Sequence, residues 1–334
     1  MSVIIAAFAD DRWGDLVEAV DSVSAQSYPP RETIVVIDHN PRLLSRARAE
    51  LPGARVLENA FARGASGARN TGVAASTAEV VAFLDDDACA DPRWLEHLVR
   101  PFDDARVIGV GGRLAPDWSS QRPRWFAPEF DWVVGASYRG MPQRLEPIRN
   151  VWSNNMAIRH DVFDAIGGFR LGFGKTGARS RPEDTDLCLR AGTLREGTWW
   201  AYQPAALAHH KVPAGREQFG FFVRRCFAEG QGKAELGALV GRSSAMSSER
   251  TYTRTVLPKG VIAGVGEAMR GDPMGLARSG VIVLGLGAAT AGLVSERLAQ
   301  RFARSPRSAL SAPRSLGGPR GADGPPTRPT TSGV

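Results

Sequence analysis

Short apolar runs alternate with amphipathic segments through residues 1–90, and this alternation constrains the fold more than any other feature of the chain. The apolar runs predict buried strands, and the segments between them carry apolar residues at helical spacing. The predicted strands are residues 3–8, 33–37, 54–58 and 79–84, and the predicted helices are residues 13–26, 42–50 and 68–75. Because this order requires crossover connections, it predicts an α/β fold with a doubly wound, mostly parallel sheet. Such sheets bind ligands at the carboxyl ends of their strands.

The rest of the chain divides by pattern. Residues 114–149 are irregular and rich in Trp, Pro and Arg, which predicts long loops that recognise an acceptor. A strand over residues 153–158, a helix over 161–166 and a helix from 182 to about 191 complete the predicted body. We predict a catalytic domain over residues 1–230, a helical, membrane-associated extension over residues 231–303 and a disordered basic tail over residues 304–334.

The excess of positive charge is concentrated near the end of the chain. A net charge of +7 raises the question of nucleic-acid binding, since clustered Lys and Arg neutralise phosphates. Much of the excess, however, follows the apolar segment 279–295, and this favours an anionic membrane surface over nucleic acid. An inert solvated tail is the alternative. The segment is slightly shorter than the roughly 20 residues of a spanning helix, so spanning, lying in the interface and packing as a buried helix all stay open. The arginines concerned are Arg297, Arg301, Arg304, Arg307, Arg314, Arg320 and Arg328.

Cysteine usage and the first residues predict the compartment. The three cysteines, Cys89, Cys188 and Cys226, are scattered and have no zinc-site spacing, which favours a reducing environment. Residues 2–8 look like a buried strand, without the charged leader and cleavage site of a secretory signal. We therefore expect a cytoplasmic protein, peripheral or C-terminally anchored at the inner face of the cell membrane.

The predicted strand 79–84 runs directly into three consecutive aspartates, Asp85, Asp86 and Asp87. Carboxylates this close repel one another, so ionising all of them is costly unless a cation lies among them. A hard divalent ion that also contacts a diphosphate would relieve the repulsion. Asp85 and Asp87 alternate along the chain and can face one ion, while Asp86 is left to face a sugar or ribose. A solvated acidic loop before the next helix at Asp91 is the alternative.

A second acidic pair, Glu183 and Asp184, follows Pro182 at the start of a predicted helix. In that helix Asp184 shares a face with Leu187 and Cys188, so its carboxylate is expected to point inward. An inward carboxylate can act as a general base that removes a proton from an acceptor hydroxyl. An acid that merely complements the helix dipole is the alternative.

Several short motifs follow the opening strand in order over residues 1–230. They are IVVID at 34–38, GARNTG at 67–72, FLDDD at 83–87, NNM at 154–156 with GGF at 167–169, and ED at 183–184. In this order they resemble the motifs of family 2 glycosyltransferases, which are inverting enzymes of the GT-A fold that use nucleotide-diphosphate sugars. The resemblance implies a GT-A fold with a helical C-terminal extension.

The resemblance also implies roles for individual residues. Asp184, with Glu183 beside it, matches the catalytic base motif, and Asp85 and Asp87 match the metal-binding pair. The residues implied for donor binding are Ala7, Phe8, Asp10, Asp38, Arg69, Asn70, Asp85, Asp86, Asn154 and Asn155. The implied cofactor is a divalent cation, Mn²⁺ or Mg²⁺.

The sequence leaves the roles of two groups of basic residues undecided. In similar enzymes a histidine near position 209 completes the metal shell, and the chain offers His209 and His210, of which we expect His209. A ligand role competes with an ordinary structural histidine pair. Arginines 216, 224 and 225 are expected either to hold a diphosphate or lipid head group, or to form a plain basic helix face.

The expected activity is transfer of a sugar from a nucleotide-diphosphate donor to a hydroxyl of a glycan or lipid-linked acceptor in cell-envelope synthesis. A nucleotidyltransferase is one rival, but it needs a Gly-rich basic loop after the first strand, and residues 6–11 are acidic instead. A non-catalytic membrane scaffold is the other. The sugar, the base and the acceptor stay open.

Overall fold

A computed structural model describes residues 1–176, 179–240 and 250–304. The strands are β1 Ser2–Ala7, β2 Glu32–Ile37, β3 Arg55–Glu58, β4 Val80–Asp85, β5 Ala88–Ala90, β6 Val107–Trp118, β7 Glu146–Ile148, β8 Asn155–Arg159, β9 Gly174–Thr176, β10 Arg179–Arg181 and β11 Trp199–Val212. The α-helices are α1 Trp13–Ser24, α2 Pro41–Glu50, α3 Ala65–Ala75, α4 Trp94–Val99, α5 His160–Ala165, α6 Glu183–Gly192, α7 Phe219–Val240, α8 Leu257–Met269 and α9 Met274–Arg304. Short 3-10 helices cover Asp10–Arg12, Arg100–Asp103, Pro128–Val134 and Ala214–Arg216, and a π-helical turn covers Tyr252–Val256.

The main sheet has the strand order β3-β2-β1-β4-β8-β6-β11-β5, with β7 beside β11. Strands β3, β2, β1 and β4 are mutually parallel, as the strand and helix alternation predicts. Strand β8 is antiparallel to both β4 and β6, so the sheet as a whole is mixed rather than mostly parallel. The α/β class is confirmed.

Helices cover both faces of this sheet. On one face α1, α2 and α4 bury Leu16, Leu43 and Trp94 against the strands, and on the other α3 and α6 bury Val73 and Leu187. These side chains recur at helical spacing on single faces, which is the pattern that identified the first helices in the sequence.

The predicted loop region 114–149 contains more regular structure than its composition indicates. Strand β6 continues to Trp118, the 3-10 helix follows at Pro128–Val134, and β7 pairs with the long strand β11. The register of β11 against β6 shifts between Gln203 and Leu207. His209 and His210 both lie inside β11, near its end.

A helical layer follows the sheet domain. Helix α7 runs across the predicted boundary at residue 230, and α9 contains the apolar segment 279–295. A third core cluster joins this layer to the 3-10 helix Pro128–Val134 through Phe130, Phe222 and Ile282. One helix of the described residues, over Met274–Phe302, is long and apolar enough to cross a membrane, and 28% of its apolar window is buried. Apart from Arg304 at the end of α9, the predicted basic tail lies outside the described residues.

Candidate active site

A cavity of about 180 Å³ opens beyond the carboxyl end of β4. Six separate parts of the chain contribute to it: α3, the end of β4, the 3-10 helix Pro128–Val134 with the glycine after it, the turn before β8, the start of α6, and α7. The lining residues are Arg69, Asp85, Trp132, Gly135, Trp152, Ser153, Asn154, Glu183, Asp184 and Arg225. The two acidic motifs of the sequence thus face one cavity.

Asp85, Asp87 and His210 form a group that fits a metal ion. Each residue offers one ligand atom, and the three atoms lie within 4.8 Å of one another. The strand pairing explains the grouping, because His210 lies opposite Ala88, one residue beyond Asp87. His210 Nε2 is 3.3 Å from Asp87 Oδ1, and His210 Nδ1 has no hydrogen-bond partner.

The expectation that His209 is the metal ligand is corrected by this geometry. Successive side chains of a strand point to opposite faces, so only one of the two histidines can face the aspartates. His210 is buried at 3% exposure beside Asp87, whereas His209 is exposed to solvent.

Arg12 holds the two aspartates that follow β4. Its Nη1 lies 3.0 Å from Asp86 Oδ1 and 3.0 Å from Asp87 Oδ2. Burial opposes the charge of Asp87, but the contact with His210 and the charges of Arg12 and Arg216 outweigh burial and lower its pKa to about 2. Burial and the neighbouring carboxylates raise the pKa of Asp86 to about 7. Asp86 is held by Arg12 and is not among the residues that line the cavity, so its contact with a sugar or ribose stays a prediction.

Asp184 and Glu183 differ in their partners. Glu183 Oε1 is 3.4 Å from Arg69 Nη1, and Arg69 Nη2 is 2.8 Å from Asp85 Oδ1. Ser153 donates hydrogen bonds to Asp184 from its hydroxyl and its backbone N–H, but Asp184 Oδ1 has no hydrogen-bond partner. Burial is the main cause that raises the pKa of both carboxyls. Of the two, Asp184 is therefore the one with an oxygen free to accept a proton.

Buried side-chain polar atoms without a hydrogen-bond partner are concentrated at this site. In the part of the chain that the structure describes they are Asp86 Oδ2, Asp87 Oδ1, Asn154 Oδ1, Asp184 Oδ1 and His210 Nδ1. An unsatisfied buried polar group costs about 1–3 kcal/mol. Native proteins rarely leave several of them together without a ligand. The cluster therefore indicates a binding site for polar or ionic ligands.

A further group of predicted donor-binding residues lies at the ends of β1 and β2, outside the 180 Å³ cavity. The residues that meet there are Ala7, Phe8, Asp10 and Asp38. The Asn40 side chain donates to Phe8 O at 3.0 Å and to Asp10 Oδ2 at 2.9 Å. Asp38 accepts hydrogen bonds from the loop 59–64. The 54% exposed ring of Phe8 is available for stacking.

The structure corrects two further donor-binding predictions. Asn155 is 1% exposed, and its amide donates to Arg113 O and Ala206 O while its Oδ1 accepts from Trp94 Nε1 at 2.7 Å. Asn155 therefore stabilises the strand core and does not line the cavity.

Asn70 has a similar structural role. Its Nδ2 donates to Phe169 O at 2.8 Å, and its Oδ1 accepts from Phe169 N at 2.9 Å. These bonds hold the turn at Gly167 and Gly168, which both have positive φ. By contrast Asn154 and Arg69 line the cavity, and their role in donor binding stays a prediction.

Among the other cavity residues, Arg225 is one of the arginines whose role the sequence leaves open, whereas Trp132 and Gly135 belong to no motif. Trp132 Nε1 donates to Tyr252 Oη at 3.0 Å, and the Arg225 guanidinium lies 5.9 Å from the Trp132 ring. Gly135 has φ +83°, and a Cβ at this position would lie 2.9 Å from His210 Cε1. The density of Trp in residues 114–149 was the one hint that this region contributes to a site.

Comparison with known proteins identifies relatives of the chain. The model of glycosyl transferase family 2 matches residues 2–167. A glucosyl-dolichyl phosphate glucuronosyltransferase of Haloferax volcanii is 31% identical over 249 residues, covering 73% of this chain and 79% of the relative. The succinoglycan biosynthesis protein ExoM of Rhizobium meliloti is 28% identical over 229 residues, covering 65% of this chain and 69% of the relative.

A solved structure shares the fold. The mannosyltransferase PcManGT of Pyrobaculum calidifontis, in complex with GDP-Man and Mn²⁺, superposes with a TM-score of 0.55 at 18% identity, over 88% of this chain and 87% of that one. The GT-A fold predicted from the sequence is confirmed. The motifs, the relatives and the fold of the chain together show that it is a glycosyltransferase and belongs to glycosyl transferase family 2.

Proposed function

We propose that the protein is an inverting glycosyltransferase that moves a sugar from a nucleotide-diphosphate donor to an acceptor hydroxyl, with a divalent cation as cofactor. The observation that carries the proposal is the unpartnered Asp184 Oδ1 in the same cavity as Asp85. A base and a metal ligand that face one space suit a single displacement at the sugar carbon.

The proposed cation site consists of Asp85, Asp87 and His210. The residues fit such an ion, because Asp87 Oδ1 and His210 Nδ1 are buried without hydrogen-bond partners and three ligand atoms converge. Carboxylate and imidazole ligands are compatible with Mn²⁺ or Mg²⁺. A bound cation would neutralise charge that develops on the leaving diphosphate. Arg12 and Arg216 add fixed positive charge around Asp87.

The protein's own residues supply the remaining functions. Asp184 Oδ1 accepts the proton of the acceptor hydroxyl, and Ser153 keeps the Asp184 carboxylate in place. Glu183 is the partner of Arg69 and keeps its guanidinium against Asp85. The group Ala7, Phe8, Asp10 and Asp38 binds the nucleoside.

For the acceptor we propose a glycan or lipid-linked intermediate of the cell envelope. The support comes from the names of two relatives, one acting on a glucosyl-dolichyl phosphate and one in succinoglycan biosynthesis. The α9 helix supports a location at the inner face of the cell membrane, where such an acceptor would be met.

Thermal shift with a panel of nucleotide-diphosphate sugars, with and without Mn²⁺ or Mg²⁺, tests the donor and the cofactor, since a ligand that binds the native state stabilises it. The expected result is a shift that requires both donor and cation, that His210→Ala abolishes and that His209→Ala retains. A donor shift of equal size in EDTA would refute the cation site. The anomeric configuration of the product, determined by NMR, tests inversion.

A further inference from the structure

Helices α8 and α9 form an antiparallel hairpin, and both helices carry exposed apolar side chains. Gly264 of α8 contacts Gly275 of α9, and Ser279 Oγ donates to Val261 O at 2.9 Å. We call the exposed apolar side chains of the two helices the apolar face. Its members are Ile262, Val265, Met269, Leu276, Val283, Leu284, Leu286, Val294, Leu298 and Phe302. Those of α9 recur at helical spacing from residue 276 to 302, a length of about 40 Å.

The opposite side of α9 is attached to the rest of the protein along most of its length. A Cβ at Gly275 would lie 2.2 Å from Gly264 O, one at Gly285 would lie 2.6 Å from the Phe130 ring, and one at Gly292 would lie 1.9 Å from Phe227 O. These close contacts leave no room for lipid between α9 and its neighbours.

A transmembrane orientation of α9 conflicts with these contacts. If α9 crossed the bilayer with its neighbours still attached, α7 would enter the hydrocarbon with the exposed Arg224 and with the partly exposed ion pair of Arg225 and Glu229. Charged side chains at bilayer depth are costly and are rare outside protein interiors. An orientation in the plane of the interface keeps α7 out of the hydrocarbon while it buries the apolar face.

The exposed charges around the apolar face are of one sign. Over residues 257–302 the exposed charged residues are all basic, namely Lys259, Arg270 and Arg301, and the acidic residues there are only partly exposed. The acidic side chains of the turn region, Glu267 and Asp272, are bound by Arg278 at 2.6 and 2.5 Å. Apolar residues flanked by exposed basic ones are typical of helices that lie on anionic lipid.

We propose that the α8–α9 hairpin docks on an anionic phospholipid surface with its apolar face down and both helices in the membrane plane, and that α9 does not span the bilayer. A second copy of the chain would also cover the apolar face. In a two-fold contact, however, the exposed charges that each copy brings are all basic and find no acidic partner on the other copy, and the charge complementarity therefore favours lipid. The inference rests on the proposed membrane location and is independent of the proposed chemistry.

Vesicle flotation of the full chain, without donor or metal, tests the docking. We expect binding to phosphatidylcholine vesicles that contain phosphatidylglycerol, and binding at least about tenfold weaker to phosphatidylcholine alone or in high salt. Val283→Glu and Ile262→Glu, both at exposed positions, should each weaken binding at least about tenfold. The matched control is Leu145→Glu, at a similarly exposed leucine away from the hairpin. Equal melting temperatures establish that the variants are folded.

Fluorescent labels at single cysteines test the orientation. Leu276→Cys, Gly287→Cys and Leu298→Cys place labels at the two ends and the middle of the apolar face, in a Cys89→Ser background. Quenching by lipids brominated at different depths should give the same shallow depth for all three labels.

A deep label at position 287 with shallow labels at both ends would mean a spanning helix and would overturn the proposal. Equal binding of the wild type and the Val283→Glu variant would also overturn it, as would a dimer that Val283→Glu dissociates. None of these readouts depends on transferase activity, so failure of the docking and failure of the proposed function are distinguishable.

Discussion

Two aspartates on α6, two positions apart, have different surroundings, and their replacement separates catalysis from stability. Asp184 lines the cavity with its Oδ1 unpartnered. Asp186 is 0% exposed and accepts hydrogen bonds from Arg190 at 2.9 Å and from Arg170 at 3.2 Å. We predict that Asp184→Asn removes activity and leaves the fold intact, whereas Asp186→Asn weakens the fold.

The magnitudes follow from these partners. Asparagine at position 184 keeps the shape and the contact with Ser153 but cannot take up the acceptor proton, so turnover should fall about 10²–10⁴-fold. Its free energy of unfolding should stay within about 1 kcal/mol of wild type or rise, because a buried charge is removed. At position 186 two ion pairs are lost. Breaking a buried pair costs about 3–5 kcal/mol, and the lower end applies because the Arg170 side chain is 48% exposed.

Urea unfolding and initial transfer rates measure the two effects on the same protein preparations. The expected pattern is an unchanged unfolding midpoint with lost turnover for Asp184→Asn, and a lowered midpoint with turnover per folded molecule near wild type for Asp186→Asn. Retention of more than about a tenth of the turnover by Asp184→Asn would refute the assignment of the base. A loss of stability in Asp184→Asn as large as in Asp186→Asn would refute the claim that Asp184 Oδ1 has no stabilising partner in the folded protein.

Other variants test the metal group and its surroundings. His210→Ala should abolish the stabilisation that Mn²⁺ gives to the folded protein, and His209→Ala should keep it; calorimetry with and without Mn²⁺ measures this. The opposite result would make His209 the ligand. Gly135→Ala places a Cβ against the His210 ring at positive φ. It should lower the free energy of unfolding by about 1–3 kcal/mol, which urea titration measures, and a neutral effect would contradict the close packing. The pKa of Asp86 is raised to about 7, so ionisation of Asp86 destabilises the wild-type fold. This destabilisation is absent below about pH 4 and complete above about pH 7. Without divalent ions, the stability of Asp86→Asn relative to wild type should therefore increase by a few kcal/mol between these pH values, and a flat difference would contradict the raised pKa.

The parallel half of the fold was predictable because local patterns determine it. The apolar runs that became β1, β2 and β4 bury nearly all of their side chains, and the helices between them bury a single face. The chain from residue 107 onward was less predictable. Strand β6 pairs with β8 and β11, which lie about 45 and 90 positions further along the chain, and local spacing carries no information on such pairings.

The site residues also differ in whether local sequence patterns or long-range pairing determine their positions. Asp85 and Asp87 lie at and just after the end of β4, so their positions alone bring them to the carboxyl edge of the sheet. Asp184 lies at the start of α6, after the separate sheet β9–β10, so only the resemblance to a known motif implied that it reaches the same site. The choice between His209 and His210 depends on the register of β11 against β5, which only the assembled sheet determines. Asn155 matched a motif, but its amide points into the core, where it bonds with Trp94 and Arg113.

The 3-10 helix Pro128–Val134 contacts both the C-terminal helices and the cavity. Phe130 packs on α9 at Gly285, whereas Trp132 forms part of the cavity wall and is bound by Tyr252, which precedes α8. Removing the helices after α7 would uncover Phe130 and leave the Trp132 indole without its acceptor. The sheet domain is consequently not a separable module, and a shortened chain would lose the shape of its reaction chamber before it lost any catalytic side chain.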